Sequence, residues 1–408
     1  MLQCTISNRI LQEKGEYVMP QENQLLLKLF FPFCYHKCSY CGQSICSYDD
    51  KVLKAYYQAM LNEMESAATE MQDMVIPAIS LEGGTPLLAS PEMLQTLLRF
   101  VHKTFPLTKD VQIQVQTMPG QYSRSLVQRL QNVGVNFWTI GLETANLMEH
   151  KLLCRPYRFD ALTMVDVAIR TFHIRNLDFS LLYGIPGQTM QSWKHSLDMA
   201  LAYSPEHLTL TSLRLIPGTP LAKRCQTGEL SSCSLETAAE YYEYARELLL
   251  SLGYQPYTIT NFARPGCENR WKLSQLLGTP YMGFGYQADS YLDSVFYTNG
   301  HNLREYIENS SEISVIANHM VRLDSYSEML RFVVSHLTLT KGLCLHELKE
   351  HFGDIADNLL QNVFPSLIAD GFLTEDMIDN EASSLKSRCV RLTPMGIVSD
   401  ILNRLECI

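Results

Sequence analysis

The chain has 408 residues, 46% of them hydrophobic and 19% charged, with a formal net charge of −10. That composition describes an ordinary globular protein, excludes a disordered or fibrous one, and provides no overall basic surface for nucleic acid. The start of the chain lacks the cationic and apolar pattern of a secretion signal and no uncharged apolar run is long enough to span a bilayer, so a cytoplasmic protein without membrane or nucleic-acid partners is expected.

Residues 1–24 read as an N-terminal extension. Residues 25–31 (LLLKLFF) form an apolar run that ends at Pro32, long enough for a buried strand and too short for a helix. A cysteine-bearing loop follows. Residues 51–68 carry apolar side chains at helical spacing, and 75–81 return to strand character. The alternation continues with helices at 93–103, 123–132, 161–172 and 190–203, and with strands at 111–115, 137–140, 177–182 and 207–213.

Such alternation predicts an α/β fold, a parallel sheet covered by helices, and its six strands fit an incomplete (β/α)6-type barrel over residues 25–215. The loops after the strands collect at one end of the sheet, where sites of this architecture lie. Residues 216–325 are expected to extend the barrel on the substrate side. From 326 to 408 the pattern changes to helices at 327–338, 345–352 and 356–370, with short strands at 371–374 and 390–393 around an acidic tip. This predicts a winged-helix-like α+β module, which in so acidic a chain is expected to be a structural lid rather than a DNA reader.

Twelve cysteines in a reducing compartment are not a disulfide framework. Cys4, Cys154, Cys225, Cys233, Cys267, Cys344, Cys389 and Cys407 are scattered singly and read as small buried or idle thiols. Cys34, Cys38 and Cys41 differ, because the spacing C-x3-C-x2-C on one loop lets thiolates converge on a soft-metal centre. An iron–sulfur cluster with one iron left open is one occupant; a zinc ion completed by His36 or Cys46 is another.

The stretch PFCYHKCSYC resembles the signature of radical S-adenosylmethionine (SAM) proteins, and its surroundings resemble the branch of the oxygen-independent coproporphyrinogen III oxidase, the heme chaperone and the class C methyltransferases. EGGTPLL, MPG, GLETANLMEHKLLCRPY, LLYGIPGQTMQSW, LIPGTPLAKR and ITNFARPGCENR follow in the order of that branch. The resemblance implies a [4Fe-4S] cluster on Cys34, Cys38 and Cys41, with Cys46 a bystander. The open iron would chelate SAM, whose reductive cleavage yields a 5′-deoxyadenosyl radical. It further implies Gly83, Gly84 and Thr85 at the methionine end of SAM, Arg155 at its carboxylate, and Gly184 and Pro186 beside adenine and ribose; Gln116, Glu143 and Ser180 complete the implied cofactor contacts. An electron donor such as flavodoxin or ferredoxin and a small organic or tetrapyrrole substrate are the implied partners.

The chain also departs from the pattern. Gln116 and Ser180 stand where the branch carries a glutamate and an aspartate, and Gln43 stands where the oxidase has a fourth cysteine. The lead-in Tyr-x-His-x-Pro-Phe-Cys is here Lys28-Leu29-Phe30-Phe31-Pro32-Phe33-Cys34, and a His-Asn…Tyr-Trp element is replaced by Trp271, Lys272, Gln275 and Leu276. The expected function is therefore radical SAM chemistry, hydrogen abstraction or methyl transfer with a second SAM, on a substrate other than coproporphyrinogen. Coproporphyrinogen oxidation in porphyrin biosynthesis is one alternative. A heme or tetrapyrrole carrier using His36, His150, His173, His195, His207 or His301 is the other.

Overall fold

Strand β1, Leu26–Phe31, buries all 6 of its residues, as a parallel strand covered on both faces must. The computed structural model describes residues 23–157, 162–172, 174–379, 386–399 and 401–406; Cys4, Cys407, His173 and nearly all of the N-terminal extension lie outside them. After β1 the chain alternates through α1 (Asp50–Ala67), β2 (Ile76–Gly83), α2 (Pro91–Thr104), β3 (Leu107–Thr117), α3 (Arg124–Gln131), β4 (Val135–Glu143), α4 (Leu162–Phe172), β5 (Leu177–Tyr183), α5 (Met190–Leu201) and β6 (His207–Ser212). Helix starts are marked locally. Asp49, Ser90, Ser123 and Thr189 each accept backbone N–H bonds as N-caps of α1, α2, α3 and α5.

Strands β1 to β6 lie side by side in chain order, each parallel to the next. Beside β1 the strand Tyr281–Phe284 adds a further parallel neighbour, which the sequence reading did not find. It is only 4 residues long with Gly283 inside it, and its place comes from pairing with β1 rather than from any local period. Asp289–Leu292, Val295–Asn299 and Ala317–Arg322 continue antiparallel on that flank, and Asn261–Ala263 pairs antiparallel with β6. The result is an open sheet of 12 strands.

Side-chain alternation gives this sheet two faces. Leu27, Leu29, Ile79, Leu81, Ile113, Val115, Trp138, Phe179 and Leu208 join the main apolar core with the helices. The opposite face carries Lys28, Ser80, Glu82, Gln114, Gln116, Thr139, Asp178, Ser180, His207 and Thr209. This inner face is polar. A helix at Arg270–Leu276 closes part of it, with Trp271 Nε1 donating to Leu27 O at 3.1 Å and the Arg270 N–H to Gln112 Oε1 at 2.7 Å.

The C-terminal helices Ser325–Thr338 and Leu345–Phe352 have a core of their own, including Met329, Val333, Leu337, Leu348 and Phe364. Two details differ from expectation. The helix expected at 356–370 runs on without a break but widens to a π-type stretch at Leu359–Val363 before Phe364–Ala369, next to Pro365, which lacks an N–H. The wing has three strands, since Leu343–Cys344 pairs with Lys386–Leu392, itself paired with Leu373–Asp379. Among the described residues no helix is long and apolar enough to cross a membrane.

Glu63 of α1 holds the segment after the barrel in place. Its carboxylate accepts from Gly285 N–H at 2.9 Å, Tyr306 O–H at 2.6 Å and Asn299 Nδ2 at 2.5 Å, and it is buried. Burial pushes its carboxyl up to about 8, against these three hydrogen bonds. A raised carboxyl favours the protonated native state, so stability is fullest below the ordinary carboxyl range and declines as pH rises through about 8. Thermal unfolding between pH 5 and 9 is expected to show that decline in the wild type. Glu63→Gln, neutral throughout, should lose the decline whatever its plateau; an unchanged pH profile in the variant would refute the assignment.

Candidate active site

The loops after β1, β2, β3, β4 and β6, with Ser180 inside β5, surround one cleft of about 370 Å³. Cys34, Cys38 and Cys41 line it together with Gly83, Gly84, Thr85, Gln116, Glu143, Arg155 and Ser180. Residues from distant parts of the chain thus meet at one place. Gly184 and Pro186 are not among the lining residues. They are buried in a turn where Gly184 has φ of +76° and donates its N–H to Gln188 Oε1 at 2.7 Å.

The glycines matter through the space they leave. A Cβ on Gly84 would stand 2.5 Å from Phe33 O and 3.0 Å from Cys34 Sγ, and one on Gly83 would stand 2.7 Å from Phe31 O. Only glycine lets the loop after β2 lie this close to the cysteine loop. Thr85 Oγ1 and Cys34 Sγ are 3.4 Å apart, and Arg155 Nη1 lies 3.5 Å from Cys38 Sγ. Burial pushes the Cys34 and Cys38 thiols up, opposed at Cys34 by Thr85 and at Cys38 by Arg155.

Glu143 ends β4 at an irregularity in the pairing with β5, and its φ is +62°. A glutamate in the left-handed region is strained backbone of the kind that clusters at functional sites. It is the one carboxylate among the residues lining the cleft. Arg155 Nη2 approaches its Oε1 at 3.6 Å and donates to Gly141 O at 2.6 Å, while Nη1 donates to Tyr40 OH at 3.3 Å. A side chain on Gly141 would meet both partners, at 3.0 and 3.1 Å. Burial pushes the Glu143 carboxyl up while Arg155 pulls it down. For Arg155, burial works against the charge and Glu143, Tyr40 and Cys38 outweigh it, so the cation is held firmly. Arg155 Nε is buried without a partner, and no side-chain hydrogen bond is found for Gln116 or Ser180, both among the described residues.

Sequence reasoning missed Tyr40, Met118, Gln121, Thr139 and Ile216, which also line the cleft. Tyr40 and Met118 lie inside quoted motifs and were within reach; Thr139 is visible only through strand register. Beneath the cleft, Asp178 accepts from His207 Nδ1 at 2.8 Å and from Thr139 Oγ1 at 3.0 Å, and Tyr257 OH stands 2.7 Å from His207 Nε2. His207 is therefore committed at both ring nitrogens. His36 lines the cleft and His195 and His301 are exposed, whereas His150 is buried with its ring against Tyr157.

Residues 29–200 match the model of the radical SAM superfamily. That match gives the chain a radical SAM domain over those residues. Its curated relatives include the heme chaperone HemW of Synechocystis sp., 29% identical over 68% of this chain and 68% of that protein. The heme chaperone HemW of Bacillus subtilis is 27% identical over 85% of this chain and 91% of its own length. Among solved structures, the coproporphyrinogen III oxidase HemN of Escherichia coli, titled a radical SAM enzyme, superposes with a TM-score of 0.75 at 19% identity, covering 95% of this chain and 90% of that one. The branch of HemW and HemN is thus the one to which this radical SAM chain is related.

Radical SAM proteins bind a [4Fe-4S] cluster and SAM, and the cleft suits both. Among the described residues no three His, Cys, Asp or Glu side chains are grouped closely enough to hold a single metal ion. Cys46 is not among the residues lining the cleft and sits in a short parallel pair with Phe33. A cluster asks less of the geometry, since each of three thiolates meets a different iron. For SAM, the unpartnered Arg155 Nε, the Gly83–Gly84 cradle and the free polar groups of Gln116 and Ser180 provide donors and space beside the cysteines.

Proposed function

We propose that this chain is an enzyme that cleaves SAM reductively and uses the resulting radical on an organic substrate held against the inner face of the part-barrel. The observation that carries the reading is the meeting of Cys34, Cys38 and Cys41 with Gly83, Gly84, Glu143 and Arg155 around one cleft. When bound, the cluster and SAM together supply an electron transfer and a hydrogen-abstracting radical. The protein's part is to hold and orient. Cys34, Cys38 and Cys41 hold three irons. Arg155 pairs with the carboxylate of SAM, and Glu143 with its ammonium, in place of the charges that Gln116 and Ser180 lack. Backbone groups at Gly83 and Gly84 keep the methionine end close to the cysteine loop, and the buried walls keep water from the reacting centre.

The names of the curated relatives raise a second reading, a heme carrier. His207 is taken up by Asp178 and Tyr257, so among the cleft-lining residues the imidazole left for heme is His36. Anaerobic reconstitution with iron, sulfide, dithionite and SAM is expected to yield 5′-deoxyadenosine, and a Cys34→Ala, Cys38→Ala, Cys41→Ala triple variant to yield none. Equal product from both would defeat the proposal. A Soret shift on hemin titration that vanishes in His36→Ala would favour the carrier instead.

A further inference from the structure

We propose that Cys344 and Cys389 are a redox-active dithiol, a site of reversible oxidation that closes to a disulfide and fastens the wing of the C-terminal module. Taken singly in the sequence they read as idle thiols. Strand register makes them a pair.

Leu343–Cys344 runs antiparallel to Lys386–Leu392, and its two residues stand directly opposite Val390 and Cys389. Residues opposed in this way have Cα atoms about 4.5–5.5 Å apart and side chains on the same face of the sheet. A disulfide spans roughly 4.4–6.8 Å between Cα atoms, so the backbone already meets its requirement. Side chains alternate along a strand: Leu343 and Val390 share the face that joins the module's core, and the two cysteines share the other. Both thiols are free, with exposures of 8% and 6%, and their side chains hydrogen-bond one another. Among the described residues no other strand register sets two cysteines opposite each other.

The face they share is the one nearer water. Asp376 lies across from Cys389 on the adjoining strand, and Arg391, two residues beyond Cys389, donates through Nε to Asp376 at 3.1 Å while both side chains stay 39% exposed. The Arg391 cation favours a thiolate here, whereas Glu347 opposes it. Burial, and after it the neighbouring Cys344 sulfur, push the Cys389 thiol up to about 12. Cys389 therefore keeps its proton at neutral pH, and the first attack falls to Cys344. Its sulfur has no competing task, for Cys344 stands at the N-cap of the Leu345–Phe352 helix without a side-chain cap bond.

The oxidant is a low-molecular-weight disulfide such as oxidised glutathione. The Cys344 sulfur attacks one of its sulfurs, forming a mixed disulfide and releasing one glutathione thiolate. Cys389 then gives its proton to solvent and its sulfur attacks that of Cys344, which expels the second glutathione thiolate. Two protein thiols lose two protons and two electrons, and the oxidant takes up both electrons.

Closure changes a weak junction into a covalent one. Only two residues of Leu343–Cys344 pair with the wing, yet the chain just before them is anchored to the extension of the part-barrel: Ile259 N–H donates to Thr338 O at 2.9 Å and Thr340 Oγ1 to Pro256 O at 3.0 Å. The disulfide ties the wing beside that anchor. It also closes a loop that holds the Leu345–Phe352 helix and the strand Leu373–Asp379, restricting the unfolded chain.

The test uses the full-length, cluster-reconstituted chain kept free of oxygen, exposed to oxidised glutathione, blocked with N-ethylmaleimide and digested with trypsin. Cleavage after Lys341, Lys349, Arg388 and Arg391 releases the peptides 342–349 and 389–391. These two, joined by a disulfide, are expected in about tenfold or greater excess over any other cysteine pair, the advantage of thiols already held side by side. Dithiothreitol should part them. Cys389→Ser is expected to stop at a glutathione adduct on Cys344, and Cys344→Ser to leave Cys389 unmodified by glutathione. Maleimide on both cysteines, a separate glutathione on each, or a different pair in excess would overturn the proposal. The wild-type peptide map needs no variant, so it decides the matter even where a serine variant fails to fold.

Discussion

Gly84→Ala is expected to reduce 5′-deoxyadenosine formation by roughly 10²-fold and to lower the iron retained per chain. The cause is steric and local. The added methyl must displace the Phe33 carbonyl at 2.5 Å or the Cys34 sulfur at 3.0 Å, and a shift of about 1 Å in a catalytic constellation costs on the order of 10² in rate. Gly187→Ala is the control. Gly187, unlike Gly84, has a positive φ, +78°, and a Cβ there meets nothing within 4 Å. It should pay only the backbone strain, about 1–2 kcal/mol, and keep its iron. If Gly84→Ala retains wild-type iron and turnover, the close approach of the two loops is not what holds Cys34 in position.

Arg155→Met should be the most destabilising change at the site. Arg155 and Glu143 are both largely buried, with side-chain exposures of 7% and 11%. Removing one partner of a buried ion pair leaves the other charge uncompensated, which costs about 3–5 kcal/mol. Unfolding by denaturant, followed at neutral pH, reads this directly. The double variant Arg155→Met, Glu143→Gln is expected to recover most of the lost stability, because the orphaned charge is gone. It should not recover SAM cleavage, since both groups proposed to hold the amino-acid end of SAM are then missing. Recovery of activity in the double variant would show that the pair is structural alone.

These two sites differ in how far the chain itself announces them. Gly83 and Gly84 stand in a run beside a predicted strand, and Arg155 stands in a quoted motif, so their place on a C-terminal loop follows from β/α alternation. Glu143 could be named from its motif, but its left-handed backbone and its standing as the only carboxylate of the cleft lining depend on an irregularity between β4 and β5. Gly184 and Pro186 show the converse case. Their turn is as conspicuous as the other glycine motifs, yet Gln188 Oε1 takes the backbone N–H of Gly184 and the turn closes on itself. A glycine turn looks the same in sequence whether it faces a ligand or its own chain.

What the sequence determined by itself is what depends on neighbours in the chain. The spacing of Cys34, Cys38 and Cys41 brings three thiols to one loop, and the change between periods of 2 and 3.6 residues marks the strands and helices of the half-barrel. What only the tertiary structure decided depends on register between distant strands. Tyr281–Phe284 finds its place by pairing with β1. That pairing, with the helix carrying Trp271, sets Asp289, Lys28 and Glu82 together in one partly buried ionic group. No local period encodes such a meeting, because its members satisfy each other's charges across the sheet rather than along the chain.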